Sequence, residues 1–269
     1  MNRAADFPFD TGMFFSTVRI EAFKDKIKSQ GTGFLFCDTE RFGEPKTFIV
    51  TNRHVVEGFD NGFVFFHRAV NDEPSYQAPV PGIAESWKNW HFHPDKNIDI
   101  AILPAENSIL RFNSTDIGFT QTISSSLLLH DNEPHTLEDV VFVGYPKGLW
   151  DPVHALPIAR RGMIASFLNL DYNGLPCFLI DASVFEGSSG SPVFLLTTEF
   201  VKTNEGFLPH QKCNFIGILS ASLSTACQFL KINTAEEKPA EHIDIGIAFK
   251  ARAIIETIDS WFAKNPTIS

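Results

Sequence analysis

Ser189 is the residue in this sequence with the clearest potential for chemistry. Small residues flank it, with Gly187 two positions before it and Gly190 directly after it. A nucleophilic serine needs an exposed hydroxyl and backbone N–H groups that face the oxyanion formed when it attacks an acyl carbon. Small neighbours let a substrate approach that closely, and Gly187 can adopt the backbone angles that such a turn demands. Taken alone, the stretch also fits a glycine- and serine-rich surface loop.

Two upstream segments carry the groups that would activate such a serine. His54 lies in residues 51–56, and Asp99 begins the apolar run 99–103. A histidine can accept the serine proton, and an aspartate can hold the imidazole in the required tautomer. Alone, His54 fits a structural histidine and Asp99 a turn acid. Their order with Ser189, each beside an apolar run, favours the catalytic interpretation of all three.

The three segments resemble motifs of the trypsin-like (chymotrypsin-fold) serine peptidases, in the form of an intracellular bacterial-type domain. His54 lies in a TxxHV-type segment, Asp99 in a DIAIL-type strand start and Ser189 in a GxSGxP-type loop. Their separations, 45 and then 90 residues, are close to those of the family. The resemblance extends from about Phe14 to the C-terminal helix. It implies a serine endopeptidase that acts on a protein or peptide through a Ser-His-Asp triad and an acyl-enzyme intermediate, without cofactor or metal.

The resemblance also assigns groups around the nucleophile. The backbone N–H groups of Gly187 and Ser189 would form the oxyanion hole. Ser220 would contact the triad aspartate, and the backbone of Ser220, Ala221 and Ser222 would pair with the substrate as an added strand. The alternative is an ordinary core strand that ends in small polar residues.

Substrate preference is implied less directly. By the resemblance, Ser183 forms the floor of the S1 pocket, and Gly246 and Ser222 line its walls. Because Ser183 is not an acid, a preference for Lys or Arg at P1 is not supported. Ser222 replaces the glycine usual in wide pockets, so we expect a small or medium apolar P1 residue. Glu186 at the rim would repel acidic substrates or is simply a solvated loop acid.

Two departures from the family concern activation. The sequence has no Ile-Val-Gly-Gly-type N-terminus, and the residue before the nucleophile is Ser188 rather than an aspartate. A zymogen switch based on a freed N-terminal amine is therefore not expected. Activity would be restrained by narrow specificity or by an activating protein partner that orders the oxyanion loop.

Three alternatives compete with a general peptidase. The first is an inactive binding module on the peptidase fold, although an intact triad argues against it. The second is a partner-gated effector protease that cuts one dedicated protein. The third is an α/β-hydrolase, but its motif wants glycine at Ser191 and a helix after the serine. Its histidine would lie downstream, where His210 and His242 have no matching context.

The histidines His91 and His93 would lie on one face of a strand, with His67 nearby, in an arrangement that could bind zinc. No further ligand stands at a diagnostic spacing. A turn at residues 94–95 explains this stretch more economically, so we predict no metal site.

Composition limits the partners and the compartment. The formal net charge of −10 argues against nucleic acid and anionic membranes as partners. The one basic doublet, Arg160 and Arg161, fits a solvated strand end. The first residues include Asp6 and Pro8 where a secretory signal would be apolar. Few cysteines, at positions without the disulfide pattern of the family's extracellular members, indicate reduced thiols and a cytoplasmic protein; they are Cys37, Cys177, Cys213 and Cys227.

Short β-prone runs separated by polar turns predict an all-β protein. The resemblance implies two antiparallel six-stranded β-barrels: residues 1–118 with His54 and Asp99, and residues 119–269 with Ser189. Residues 1–11 read as an unpaired tail. A C-terminal helix is predicted over 251–264 because its apolar residues recur at helical spacing; they are Ile254, Ile255, Ile258, Trp261 and Phe262.

Overall fold

The computed structural model describes most of the chain. The described residues are 9–39, 41, 44–71, 73–84, 87–105, 110–111, 118–119, 121–130, 135–154, 156–203, 206–222 and 244–266. Cys227 and His242 therefore lie outside the described residues, as does most of the predicted N-terminal tail.

The first half of the chain forms one sheet. Among its described strands, six have four or more residues: β1 (Thr17–Lys24), β2 (Ile27–Asp38), β3 (Lys46–Thr51), β4 (Asn61–Val70), β5 (Glu73–Ala84) and β7 (Ala101–Pro104). The others have two residues each: β6 (His91–Phe92), β8 (Leu110–Arg111), β9 (Gly118–Phe119) and β10 (Ile123–Ser124). The strand order is β6-β7-β3-β2-β1-β4-β5-β8, and β10 pairs with β2 and β9 with β4. β-Branched and aromatic residues dominate the central strands, as in Phe48, Ile49 and Val50, which are all buried.

The second half forms a closed barrel. Its strands are β11 (Asp139–Gly144), β12 (Ile158–Ile164), β13 (Cys177–Asp181), β14 (Pro192–Thr203), β15 (Gly206–Ser222) and β16 (Ile245–Lys250). Around the barrel they follow the order β11-β12-β13-β16-β15-β14, and all neighbouring strands pair antiparallel. Together with the first sheet and the C-terminal helix, the barrel confirms the predicted chymotrypsin-like double β-barrel.

An aromatic core joins the two halves. Phe34 of β2 meets Phe215 of β15, with ring centroids 5.4 Å apart. The C-terminal helix, Ala251–Lys264, packs across both, and its Trp261 lies edge-on to Phe48 of β3 at 5.5 Å. The helix bounds agree with the prediction because its apolar face is buried against this core. Buried aromatic area of this kind fixes how the halves face each other.

The N-terminal region differs from its prediction. A helix, α1 (Phe9–Phe15), begins inside the expected tail of residues 1–11. Met13 and Phe15 of this helix are buried, and the hydroxyls of Ser16 and Thr17 donate to the carbonyl of Met13. Burial of two large side chains is a tertiary effect that the polar, proline-bearing start of the sequence does not reveal.

The boundary between the halves at residues 118 and 119 stays a prediction. The short strand β9 spans this boundary and β10 follows it, and both pair with strands of the first sheet.

The described cysteines are free thiols. Cys37 and Cys177 are buried, and burial raises the pKa of Cys177 to about 11. Burial likewise raises the pKa of Cys213 to about 12. Thiols with such high pKa values are weak nucleophiles, which fits structural rather than reactive cysteines.

Among the described residues, no helix combines the length and the apolar character needed to cross a membrane.

Candidate functional site

The first sheet brings His54 and Asp99 together. β3 and β7 are antiparallel neighbours, with Thr51 opposite Ala101. His54 follows β3 in a single helical turn, α2 (Arg53–Val56), and Asp99 directly precedes β7. The two side chains, 45 residues apart in sequence, therefore lie together at the same end of this pair of strands.

Asp99 holds the ring of His54 in one orientation. Its Oδ2 lies 2.7 Å from His54 Nδ1, and its Oδ1 accepts the backbone N–H of His54 at 3.0 Å. With Nδ1 donating to the carboxylate, the neutral ring keeps Nε2 free as an acceptor. Burial by itself would lower the pKa of His54, but the hydrogen bond and the charge of Asp99 outweigh it and raise that pKa above 6.5. The imidazolium form is thus stabilised, as a general base requires after it takes a proton.

Ser220 links Asp99 to Ser189. Its hydroxyl donates to Asp99 Oδ2 at 2.7 Å, and its carbonyl accepts the hydroxyl of Ser189 at 2.5 Å. In the part of the chain that the structure describes, Ser189 thus donates to Ser220 rather than to His54. Ser189 is buried, with 8% of its surface exposed, and a rotation about its Cα–Cβ bond to another staggered rotamer would redirect the hydroxyl. Catalytic hydrogen bonds are often unmade before substrate binds.

The loop around Ser189 packs between the two halves. The carbonyl of Ser189 accepts the N–H of Thr32 in β2 at 2.8 Å, and Gly190 donates to the carbonyl of Leu219 in β15 at 2.8 Å. Gly190 has φ +91°, and a Cβ at this position would overlap the carbonyl oxygen of Thr32. Glycine is required here for both reasons.

The two N–H groups predicted for the oxyanion hole share one feature. Each N–H belongs to a peptide whose carbonyl already accepts a hydrogen bond. The peptide of the Gly187 N–H has the carbonyl of Glu186, which accepts Lys147 N–H at 2.5 Å. The peptide of the Ser189 N–H has the carbonyl of Ser188, which accepts Ser191 N–H at 3.1 Å. In a trans peptide the C=O and the following N–H point in opposite directions. The N–H groups of Gly187 and Ser189 therefore point away from these contacts, and among the described residues neither has an acceptor. Two such unpaired donors can stabilise an anion.

The predicted S1 residues lie on neighbouring segments. Gly246 of β16 pairs with Ser222 of β15 on one side and with Ile180 of β13 on the other. A side chain at Gly246 would clash with Val184, which follows Ser183 in the loop after β13. Ala221 and Ser222 are described here as strand residues only, and their role toward substrate stays a prediction.

The prediction that Arg160 is a solvated residue at a strand end is wrong. Arg161 is exposed and pairs with Asp139, as expected for a solvated residue, but it lies in the middle of β12 rather than at a strand end. Arg160 instead is half-buried, donates to the carbonyl of Ser183, and has its guanidinium 5.0 Å from the ring of Phe185. It stands opposite Phe142 in β11, whose side chain is buried in the barrel, so the alternation of the strand turns Arg160 inward.

The histidines weighed as zinc ligands have separate partners. His91 contacts Ser260 at 3.0 Å, His93 contacts Glu256 at 3.3 Å, and His67 contacts the carbonyl of Phe14 at 3.1 Å. Burial lowers the pKa of His67 to about 4, so this ring is a neutral hydrogen-bonding group near neutral pH. Within the described ranges, no three potential ligands converge on one point.

Known proteins show related sequence and fold. A sequence profile for the trypsin-like peptidase domain matches residues 31–201. The fold is similar to that of a serine endoprotease from Yersinia pestis, with a TM-score of 0.50 and 16% identity over 95% of this chain and 67% of that chain. It is also similar to the HtrA-type protease AlgW, solved with a tripeptide, with a TM-score of 0.51 and 17% identity over 94% of this chain and 63% of that chain. At such identities these two structures show the fold alone. No curated protein matches the sequence.

Proposed function

Since the chain belongs to the trypsin-like peptidase family, we propose that it is a serine endopeptidase with Ser189, His54 and Asp99 as its triad. The observation that carries the proposal is the set of hydrogen bonds around Asp99. This carboxylate orients His54 at 2.7 Å and accepts Ser220 at 2.7 Å, and Ser220 in turn contacts Ser189. A hydroxyl, an imidazole and a carboxylate joined in this way are the parts that acyl transfer needs.

The reaction follows from the positions of these groups. Ser189 Oγ attacks the scissile carbonyl while His54 Nε2 takes its proton, and the resulting oxyanion binds the N–H groups of Gly187 and Ser189. His54 then gives the proton to the leaving amine, which leaves an acyl-enzyme on Ser189. A water molecule, deprotonated by His54, then attacks the acyl carbon. His54 returns the proton to Ser189 Oγ as the acyl carbon–Oγ bond breaks and the acid product leaves. The proposed chemistry uses no cofactor and no metal.

We place the substrate in the cleft between residues 1–118 and 119–269, paired with the backbone of Ser220, Ala221 and Ser222. Position 188 is a serine, so there is no aspartate at this position for a freed N-terminal amine to pair with. We therefore propose that the peptidase is not activated by cleavage at its N-terminus. A protein or peptide is the expected substrate in a reducing, cytoplasmic setting.

At P1 we expect a small or medium apolar residue. Ser183 gives the pocket floor no carboxylate, and Arg160 brings a positive charge to the Ser183 carbonyl. Both features disfavour Lys or Arg. With matched peptide substrates carrying Ala, Val, Leu, Glu or Arg at P1, kcat/KM for the best apolar residue should exceed that for Arg by about 10-fold or more. The highest kcat/KM with Arg would contradict this expectation.

The proposed triad is tested by reaction with a fluorophosphonate, followed by intact mass. Wild type should gain a single adduct, whereas Ser189→Ala and His54→Ala should gain none. His154→Ala is a matched control because His154 also contacts an aspartate, Asp151, at 2.7 Å but on an exposed turn. It should be labelled like wild type.

Absence of an adduct on folded wild type would contradict a preassembled peptidase. Repeating the reaction with candidate proteins then separates the two alternatives. Labelling that appears only with a partner would indicate a partner-gated effector protease, and no labelling under any condition would indicate an inactive binding module.

A further inference from the structure

Thr32 connects the first sheet to the oxyanion loop, which we define as residues 185–190. Its side chain is fully buried, and its hydroxyl makes two hydrogen bonds. It accepts the backbone N–H of Tyr145 at 3.0 Å and donates to the carbonyl of Gly187 at 2.8 Å. Its backbone N–H donates to the carbonyl of Ser189 at 2.8 Å. One residue of β2 therefore holds two carbonyls of the oxyanion loop.

The position of Thr32 is itself tightly determined. Its carbonyl accepts the hydroxyl of Thr51 at 2.7 Å, and it pairs with Arg19 of β1. Thr51 ends β3, three residues before His54, whereas Thr32 lies in the middle of β2. The strand end that precedes His54 therefore also fixes the residue that supports the oxyanion loop. Rigid strands of this kind are more precise supports than surface loops.

The loop itself has little else to hold Gly187. This residue has φ +86°, which glycine adopts readily, so its own backbone does not resist rearrangement. Lys147 fixes the peptide before Gly187 through the carbonyl of Glu186, and Thr32 fixes the peptide after it. Tyr145, two residues before Lys147, is bound by the same Thr32 hydroxyl. The hydrogen bond between Lys147 N–H and the Glu186 carbonyl orients the N–H of Gly187. The Thr32 hydroxyl binds next to both partners of that bond, at Tyr145 on one segment and at Gly187 on the other.

We propose that Thr32 is a positioning residue that holds the oxyanion loop, through its hydroxyl, in the form that presents the N–H groups of Gly187 and Ser189. This inference rests on the proposed peptidase function and deepens it. The isolated chain has its oxyanion hole assembled from within the fold, so neither a freed N-terminus nor a partner is needed to order it.

Loss of the hydroxyl has a definite physical consequence. Valine at position 32 would keep the volume and branching of threonine but would leave the Tyr145 N–H and the Gly187 carbonyl buried without their partner. Unpaired buried polar groups are strongly unfavourable, so the loop relaxes toward other partners. Serine would keep both hydrogen bonds.

The test compares Thr32→Val, Thr32→Ser and Thr17→Val with wild type. Thr17 is also a fully buried strand threonine, and its hydroxyl donates to the carbonyl of Met13 at 2.9 Å, away from the oxyanion loop. Thr17→Val thus controls for the general effect of losing such a bond. For each variant, kcat and KM are measured with one peptide substrate, and the phosphonylation rate and the midpoint of thermal unfolding are measured alongside.

Thr32→Val should lower kcat by about 100-fold, within the range for a lost oxyanion donor, while KM stays within about threefold. Thr32→Ser should restore kcat to within about threefold of wild type, and Thr17→Val should lower the unfolding midpoint without lowering kcat. A Thr32→Val variant with the kcat of Thr17→Val would overturn the inference and leave the peptidase proposal intact. Folded wild type that neither cleaves peptides nor reacts with the phosphonate would instead reject the peptidase proposal, and with it a preassembled oxyanion hole.

Discussion

Replacing Ser189 by alanine is expected to lower kcat by about 10⁶-fold, and replacing His54 by alanine by a similar factor. In the Ser189→Ala variant no hydroxyl is present to form the acyl-enzyme. In the His54→Ala variant no base takes the proton of the Ser189 hydroxyl. The residual rate would come from the oxyanion N–H groups of Gly187 and Ser189 and from substrate binding alone.

The double variant Ser189→Ala/His54→Ala distinguishes a catalytic pair from two independent contributions. Groups that act as one unit give strongly non-additive losses, so the double variant should be about as slow as either single variant. Rates are to be measured with the best peptide from the P1 series, with His154→Ala as the control that loses an exposed imidazole. Losses that multiply would contradict a nucleophile–base pair, as would a Ser189→Ala variant that retains wild-type kcat.

Asp99→Asn is expected to lower kcat by about 10⁴-fold while leaving the fold intact. An asparagine can direct its NH₂ group at His54 Nδ1, in which case Nδ1 accepts and the proton of the neutral ring moves to Nε2. The nitrogen that must accept the Ser189 proton is then blocked. Asp151→Asn is the matched control, because it alters an aspartate with the same 2.7 Å contact to a histidine on an exposed turn. Its kcat should equal that of wild type.

The pH dependence of the same variant carries a second test. In wild type, burial would lower the pKa of His54, but its hydrogen bond to Asp99 and the charge of Asp99 raise that pKa above 6.5. Because the base acts in its neutral form, kcat/KM should fall as the pH drops through this raised pKa. Asp99→Asn removes both raising effects, so the acid limb should move to lower pH. An unmoved limb would show that Asp99 does not set the pKa of His54.

Stability should follow the same linkage. A histidine whose folded pKa is raised contributes stability that is fully present below its unfolded pKa of about 6.5 and is lost as the pH rises through its folded pKa. Asp99→Asn should therefore cost more stability in acid than above the folded pKa of His54. Denaturant unfolding of both proteins at about pH 5 and about pH 9 measures the difference. An equal loss at the two values would contradict the linkage.

The sequence alone was enough to predict the chemistry that we propose for this protein. His54, Asp99 and Ser189 stand in short motifs whose residue types are chemically specific, and such motifs can be read without knowing how the chain folds. The C-terminal helix was equally legible, because the helical spacing of Ile254, Ile258 and Trp261 is a local property. The start of α1 could not be predicted from the sequence, since the stability of this helix comes from burial of Met13 and Phe15 against other segments.

Only the tertiary structure decided what surrounds these motifs. The Thr32 hydroxyl and its acceptor on Gly187 are 155 residues apart. Contacts at such separations depend on how two independently patterned sheets pack, and a lone threonine between two glycines gives no sign of its partners. Arg160 shows the same limit, because a basic doublet does not reveal which of its two side chains the barrel turns inward. Residue type sets what a group can do, and packing across the two halves selects the atoms on which it acts.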